Sequence, residues 1–406
     1  MKSKKHNMLI VAKERVKIQN FKQKTIKMNF KYLFINLFLV VALFSCQNSS
    51  GQNENDINTL SDTIIAESNN HDSLVNNKAD RLISIIGVGD MMLGTNYPKS
   101  PNYLPPNKDC RPLLKDVKSI LLDADLTFGN CEGVFSDNIS YARSCGSSKN
   151  CYRFSMPEKF ADCFVESGFD VLSIGNNHVG DLGEYGKKNT IKVLNDKGIH
   201  FAGLSSCPYT IFEKDGIKYG FTAFAPNRGT NRITDLKNAK QIVEMLDSLT
   251  DIVIVSFHGG AEGSKYQHVT RKTEIFLGQN RGNVYEFAHL VVDAGADIVF
   301  GHGPHVTRAV DIYKNRFITY SMGNFVTYRR FNLSGANGLA PIIKVFVDKD
   351  GVFHEAKVYS VNQYENKGPV LDPQNRALKK IKELTKSDFP ELNIDISDEG
   401  IIKLIK

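Results

Sequence analysis

The sequence predicts an α/β fold in which two sheets pack together between helices, with β-hairpins added to them. Three observations carry that expectation. Short apolar runs such as 83–88, 251–256 and 298–300 alternate with stretches that repeat apolar residues every three to four positions, the patterns of buried strands and amphipathic helices. Three pairs of β-type runs flank turns, the clearest at Asp215-Gly216, a dipeptide suited to a tight hairpin. Several apolar runs end in Asp, Asn or His next to glycine, and ligand sites in α/β sheets lie where strands end.

In chain order, residues 83–88 form a strand ending in Gly89-Asp90, and 112–124 places Leu113, Val117, Ile120 and Leu121 on one helical face. A short strand at 126–128 ends in Gly129-Asn130-Cys131-Glu132. A helix over 157–167 begins on proline, whose missing N–H does no harm in a first turn. The strand 169–174 ends in Gly175-Asn176-Asn177-His178, and the helix 183–196 after it stops before Gly198. Runs 209–213 and 217–225 make a hairpin. Residues 235–249 hold Leu236, Ala239, Ile242, Val243, Leu246 and Leu249 in helical register. The strand 251–256 runs into Phe257-His258-Gly259-Gly260-Ala261-Glu262. A helix over 284–294 leads to the strand 298–300 and its end, Gly301-His302-Gly303-Pro304-His305. Hairpins at 309–313/316–321 and 342–347/352–358 complete one domain over 81–362, and 363–406 is expected to be a peripheral extension.

The chain has 406 residues, 41% hydrophobic and 23% charged, a globular composition. Its formal charge of +7 is concentrated at one end. Residues 1–45 hold ten Lys/Arg and one acidic residue, Glu14, so residues 46–406 carry 41 basic against 43 acidic side chains. That balance removes the main support for a nucleic-acid partner. No Gly-rich Lys-Ser/Thr loop follows a strand, which argues against NTP binding.

Residues 1–46 read as a secretory leader. Lys31 precedes an apolar run over 32–44, short for a membrane span and of the right length for a signal-peptide core. Leu43-Phe44-Ser45-Cys46 resembles a bacterial lipobox, which would make Cys46 the lipid-modified first residue and tether the body to a membrane outside the cytoplasm. Met28 would give a leader of ordinary length; an uncleaved anchor is the alternative. Residues 47–80, rich in Asn, Ser and Asp, are expected to be a disordered tether. Six further cysteines, an even number, suit an oxidising compartment. Cys145 and Cys151 bracket a polar loop and are the pair expected to bridge, with free buried thiols as the alternative. None of the cysteines has zinc-finger spacing.

Five strand ends carry ligand-type side chains: Asp90; Asn130 with Glu132; Asn177 with His178; His258 with Glu262; His302 with His305. A single one could cap a helix or fill a turn. Five that follow apolar strands converge in space, because strand ends on one edge of a sheet lie together. Carboxylates, amide oxygens and imidazoles in one place suit one or two divalent ions, Mn, Fe or Zn. A histidine outside the ligand set could then give a proton to a leaving group. His178 is the candidate, with Asn177 beside it the better ligand.

The stretches VGDMMLG (88–94), FGNCEG (128–133), SIGNNHVGD (173–181), HGGAE (258–262), GHGPH (301–305) and YSMGNF (320–325) together resemble calcineurin-like metallophosphoesterases. They are closer still to the CapA family, associated with poly-γ-glutamate capsule synthesis and sharing that fold. The resemblance covers about residues 83–360. It implies a metallophosphoesterase-like two-sheet sandwich, with Asp90, Glu132, Asn177, His258, His302 and His305 as metal ligands. It also implies Asn130 and Glu262 as supporting polar residues and Asn324 as a residue that shapes the backbone. Met92 stands where the phosphoesterases place a histidine, and Glu132 replaces an aspartate at a shifted spacing, so one metal position is expected to be weak or empty.

The function expected is that of a metal-dependent hydrolase acting on a phosphoester, or on an amide of a cell-envelope polymer. The alternative is an accessory protein that holds an anionic envelope polymer during assembly or export. Arg271, Lys272, Arg281, Arg308, Arg329 and Arg330 lie in loops around the motif ends, and Arg271 and Arg308 are expected to bind substrate anions. A solvated rim is the other reading of those charges.

Overall fold

The computed structural model describes residues 81–142 and 152–405. The leader, Cys46, the tether and the Cys145–Cys151 pair lie outside the described residues.

The first sheet is built on four parallel strands. β1 (Ile83–Met92), β2 (Leu126–Cys131), β3 (Val171–Ser173) and β4 (His200–Ala202) pair in that order. Every residue of β1 and β2 is buried, the polar Ser84, Asp90, Thr127 and Asn130 included, as in strands covered on both faces. The second sheet contains β5 (Tyr209–Lys214), β6 (Ile217–Phe224), β7 (Ile252–His258), β8 (Ile298–His302), β9 (Val310–Tyr313) and β10 (Arg316–Thr319). Its spatial order is β9-β10-β8-β7-β6-β5. The turn joining β5 to β6 has Asp215 at φ 54° and Gly216 at φ 79°, the left-handed pair that matches the twist of a two-residue hairpin.

The first sheet continues beyond β1. β11 (Asn324–Thr327) runs parallel to the end of β1, and the long antiparallel pair β12 (Leu339–Val347) and β13 (Phe353–Tyr364) covers its beginning. The C-terminal stretch, expected to be peripheral, is part of the structure. β14 (Gly368–Leu371) and β16 (Ile401–Leu404) pair with β13, and β15 (Ile394–Ile396) pairs with β16. The reason is local to β13: its edge would otherwise leave unpaired N–H and C=O groups.

The two sheets pack face to face through Ile85, Phe128, Phe221, Ile254, Phe300 and Phe317, with the Phe128 and Phe300 rings stacked at 5.1 Å. Helices cover the outer faces. α1 (Arg111–Leu114), α2 (Lys118–Leu121), α3 (Ala161–Glu166) and α4 (Gly183–Asp196) supply residues to the cluster outside the first sheet. α5 (Leu236–Asp247) and α6 (Val284–Asp293) cover the second sheet, capped by the side chains of Asp235 and Asn283 on the N–H groups of Asn238 and Glu286. α7 (Arg376–Asp388) contributes Leu378 and Ile381 to the core between the sheets.

The single helix expected over 112–124 is two short ones. The backbone turns at Val117 (φ −121°), which buries Leu113, Leu114, Val117 and Leu121 together. A disulfide joins Cys110 to Cys163, tying the start of α1 to α3, while Cys131 and Cys207 are free thiols.

Candidate metal centre

Strand register alone assembles half of the site. In the first sheet Asp90 is the parallel partner of Asn130 on one side and of Asn324 on the other. In the second sheet His302 pairs with His258. The ends of β7 and β8 then meet closely: a Cβ at Gly303 (φ 114°) would lie 2.6 Å from the Gly259 carbonyl oxygen, so only glycine fits there.

Asp90, Glu132 and His258 offer ligand atoms within 4.8 Å of one another, all three buried, and such a triad could hold a metal ion. His302 Nδ1 lies 3.4 Å from Asp90 Oδ1, His305 Nδ1 2.8 Å from Asp90 Oδ2, and His258 Nδ1 3.5 Å from Glu132 Oε2. Asn130 holds the two carboxylates together, donating its amide to Asp90 Oδ1 at 2.8 Å and to Glu132 Oε2 at 2.6 Å. Asn130 is in turn held by Asn176, which donates to its Oδ1 at 3.2 Å and to the Cys131 carbonyl at 2.7 Å.

Burial pushes the Asp90 carboxyl up, but the His302 and His305 imidazoles outweigh it and hold it far below the usual carboxylate range. Burial and then the Asp90 charge push Glu132 up to about 7. Burial followed by the Arg281 charge lowers His258 well below the ordinary imidazole value. At His305 burial opposes ionisation, yet Asp90 raises the imidazole to about 9, with help from Glu262 and Glu132. A buried carboxyl raised by desolvation and by a neighbouring carboxylate, as Glu132 is, marks a place short of positive charge.

The residues fit a divalent ion. Glu132 Oε1, Asn177 Oδ1, and both ring nitrogens of His258 and His302 are buried without a hydrogen-bond partner among the described residues. A buried polar atom left unpaired costs about 1–3 kcal/mol, so such a concentration at one spot calls for a ligand. These are neutral or anionic donors of the kind that bind Mn, Fe or Zn.

His178 sits apart from the triad. Its Nδ1 faces Asp181 Oδ2 at 2.8 Å, and its Nε2 lies 3.9 Å from Glu132 Oε1. Asp181 is held by the Phe154 N–H at 2.7 Å and by Arg153 at 3.2 Å, and Phe154 packs on the His178 ring at 4.3 Å. Burial lowers the His178 imidazole, but Asp181 more than reverses this and raises it. Asn324 donates to the carbonyls of His305 (3.2 Å) and Asn337 (3.1 Å), tying the His305 turn, with His305 at φ 58°, to the rest of the site. Glu262 pairs with Arg281 at 2.8 Å. Met92 is buried and its sulfur accepts the Gly94 N–H at 3.3 Å.

A cavity of about 640 Å³ opens over this group, with Asn177, His178, Glu262 and His305 among its lining. Two expected substrate contacts are elsewhere. Arg308 is 1% exposed and forms a buried pair with Glu274, Nη2 to Oε2 at 2.8 Å. Arg271 pairs with Glu391 and lies over the rings of Tyr285 and Phe389. Both are structural because each met a carboxylate far away in sequence. The guanidinium groups that line the cavity are Arg153, Arg281 and Arg330. Reading the sequence missed Asn176 and Asp181; Asp181 carried a signal, standing three residues after His178 within the same motif.

A family model described as "Bacterial capsule synthesis protein PGA_cap" matches residues 84–329. The capsule biosynthesis protein CapA of Bacillus anthracis is 28% identical over 273 residues, covering 62% of this chain and 61% of that protein. The PGA biosynthesis protein CapA of Bacillus subtilis (strain 168) is 25% identical over 267 residues, with 61% and 64% covered. The chain thus spans about three fifths of the length of these relatives. Among solved structures, a 5'-nucleotidase precursor from Thermus thermophilus aligns over 76% of this chain and 59% of its own, at 12% identity and a TM-score of 0.37.

Proposed function

Because this chain belongs to the bacterial capsule synthesis family PGA_cap, we propose that it is a metal-dependent hydrolase of the cell envelope that acts in capsule or poly-γ-glutamate biosynthesis. The substrate is an anionic envelope polymer, or a phosphoester or amide derived from one. The relatives named for capsule and PGA biosynthesis support that setting. In this reading Cys46 carries the lipid that holds the protein to its membrane, outside the cytoplasm.

One observation carries the enzymatic part. Unpartnered nitrogens of His258 and His302 and an unpartnered oxygen of Glu132 are buried beside Asp90, next to a cavity lined by His305, which contacts Asp90, and by Asn177, whose oxygen is likewise unpartnered. Asp90, Glu132, Asn177, His258, His302 and His305 would hold one or two divalent ions. Such ions supply Lewis-acid polarisation of a substrate oxygen and a water acidic enough to attack near neutral pH.

The chain's own residues do the rest. Asn130 holds Asp90 by Oδ1 and Glu132 by Oε2, leaving Asp90 Oδ2 toward His305 and Glu132 Oε1 toward His178. Asp181, accepting from Nδ1, orients the His178 ring and leaves Nε2 toward the cavity, the atom that gives a proton to the departing oxygen or nitrogen. Phe154 packs on that ring and keeps water from one face of it.

The test is the metal content of the purified protein by mass spectrometry, together with turnover of p-nitrophenyl phosphate and of γ-linked glutamate oligomers with and without chelator. Near-stoichiometric Mn, Fe or Zn, with turnover that chelation abolishes, is expected. A folded protein that takes up none of these ions refutes the reading. Met92 favours a second one: with a thioether where an imidazole is expected, the ion site would be too incomplete for hydrolysis, and arginines around the cavity would hold an anionic polymer without cleaving it. Polymer binding that falls with salt and persists with chelator would select that alternative.

A further inference from the structure

Three guanidinium groups line the cavity, and two are already neutralised. Arg153 faces Asp181 and Arg281 faces Glu262. Arg330 has no carboxylate partner among the described residues, and its Nε is buried without an acceptor. It is held in place nonetheless. The guanidinium carbon lies 4.9 Å from the Tyr103 ring centre and 5.0 Å from that of Tyr152, a cation flanked by two aromatic faces. The backbone is shaped to put it there: Arg329 and Arg330 stand side by side at φ 58° and 65°, a conformation L side chains rarely adopt. Consecutive left-handed residues that carry large side chains point to function when the surrounding structure maintains them.

The cavity also separates Arg330 from the metal-type donors by one aromatic layer. Phe331 packs on His305 at 5.5 Å and on Phe154 at 5.0 Å, and Phe154 packs on His178. Phe154, Phe331, His178, His305 and Arg330 line one cavity, so a ligand spanning from the histidines to Arg330 has these rings in its wall. Other arginines of the region are spent on internal pairs, Arg329 with Glu365 and Arg308 with Glu274.

From this arrangement we infer that Arg330 anchors a second anionic group of the substrate, set apart from the reacting group by an apolar or flat spacer that lies on Phe154 and Phe331. The inference rests on the metal-centre reading for the position of the reacting end. The second group is a carboxylate or a phosphate, either of which accepts the guanidinium fork. Substrates with repeated negative charges meet this requirement; a monoanion with a short neutral leaving group does not.

Calorimetric titration of the metal-loaded protein tests it with hexylphosphonate, ω-phosphonohexanoate and hexane-α,ω-bisphosphonate, which differ only in the distal group. Wild type is expected to bind at least one of the two doubly anionic ligands about tenfold more tightly than hexylphosphonate, the gain of one charge-assisted contact. The tighter of the two identifies the distal group. Arg330→Gln should erase that preference and leave hexylphosphonate unchanged, which also shows that the variant is folded and loaded; Arg330→Lys should restore part of it. A preference that survives in Arg330→Gln, or a metal-loaded wild type that binds hexylphosphonate and shows no preference, overturns the anchor and leaves the metal reading standing. A wild type that takes up no metal and binds none of the three overturns both.

Discussion

The two sheets bring opposite halves to the site. The first sheet delivers Asp90 and Glu132 already fastened, with Asn130 donating to both and Asn176 holding Asn130. The second delivers His258 and His302 with both nitrogens of each ring unpartnered. The fastened half is arranged by protein contacts before any ligand arrives. The open half is arranged by strand register alone and is completed from outside. Substitutions in the two halves should therefore differ in kind: one set disturbs the fold and the chemistry, the other the chemistry only.

Asp90→Ala should have the largest effect. It removes metal uptake and turnover, and it also strands Asn130 and His305, costing about 3 kcal/mol in denaturant unfolding. Wild-type stability in that variant would break the comparison. His178→Ala stands outside both halves and should keep the metal while lowering turnover by about a hundredfold to ten-thousandfold. Metal analysis and kcat on the same preparation decide it, and loss of the ion would move His178 into the ligand set.

Breaking the Cys110–Cys163 bridge, as in Cys163→Ser, should lower stability by about 2–4 kcal/mol through the freed loop and leave metal content unchanged. His258→Leu sharpens the contrast most directly. Without metal it should unfold within about 1 kcal/mol of wild type or be more stable, since it removes unpaired polar atoms. With metal present, only wild type should gain stability. A large loss in the metal-free variant would show that the open half is fastened after all. Arg271→Ala should do least: a partly exposed ion pair and ring contact are worth about 1 kcal/mol, and turnover should not change.

Much of this was legible in the chain because it is local. A strand's apolar run, the glycine at its end and the ligand-type residue beside it are neighbours in sequence, so β1, β2, β7 and β8 announced both themselves and Asp90, Glu132, His258 and His302. The Asp215-Gly216 turn was equally plain, since two-residue hairpins accept few dipeptides. What escaped depends on contacts across long separations. Arg308 looked like a substrate contact until it met Glu274, and Arg271 until it met Glu391. The C-terminal strands read as peripheral because their partner is the edge of β13, and the bridge between Cys110 and Cys163 is one pair among the many that six cysteines can form.

The sequence by itself therefore determined the fold class, the order of strands and helices, and the residue types offered at each strand end. Periodicity and turn chemistry act within a few residues. Only the tertiary structure decided which of the offered groups remain unpaired. It placed His178 against Asp181, consumed Arg308 in the interior, and left Arg330 between two tyrosines without a carboxylate among the described residues. Whether a charge is satisfied depends on what packs beside it, and that is settled when distant segments meet.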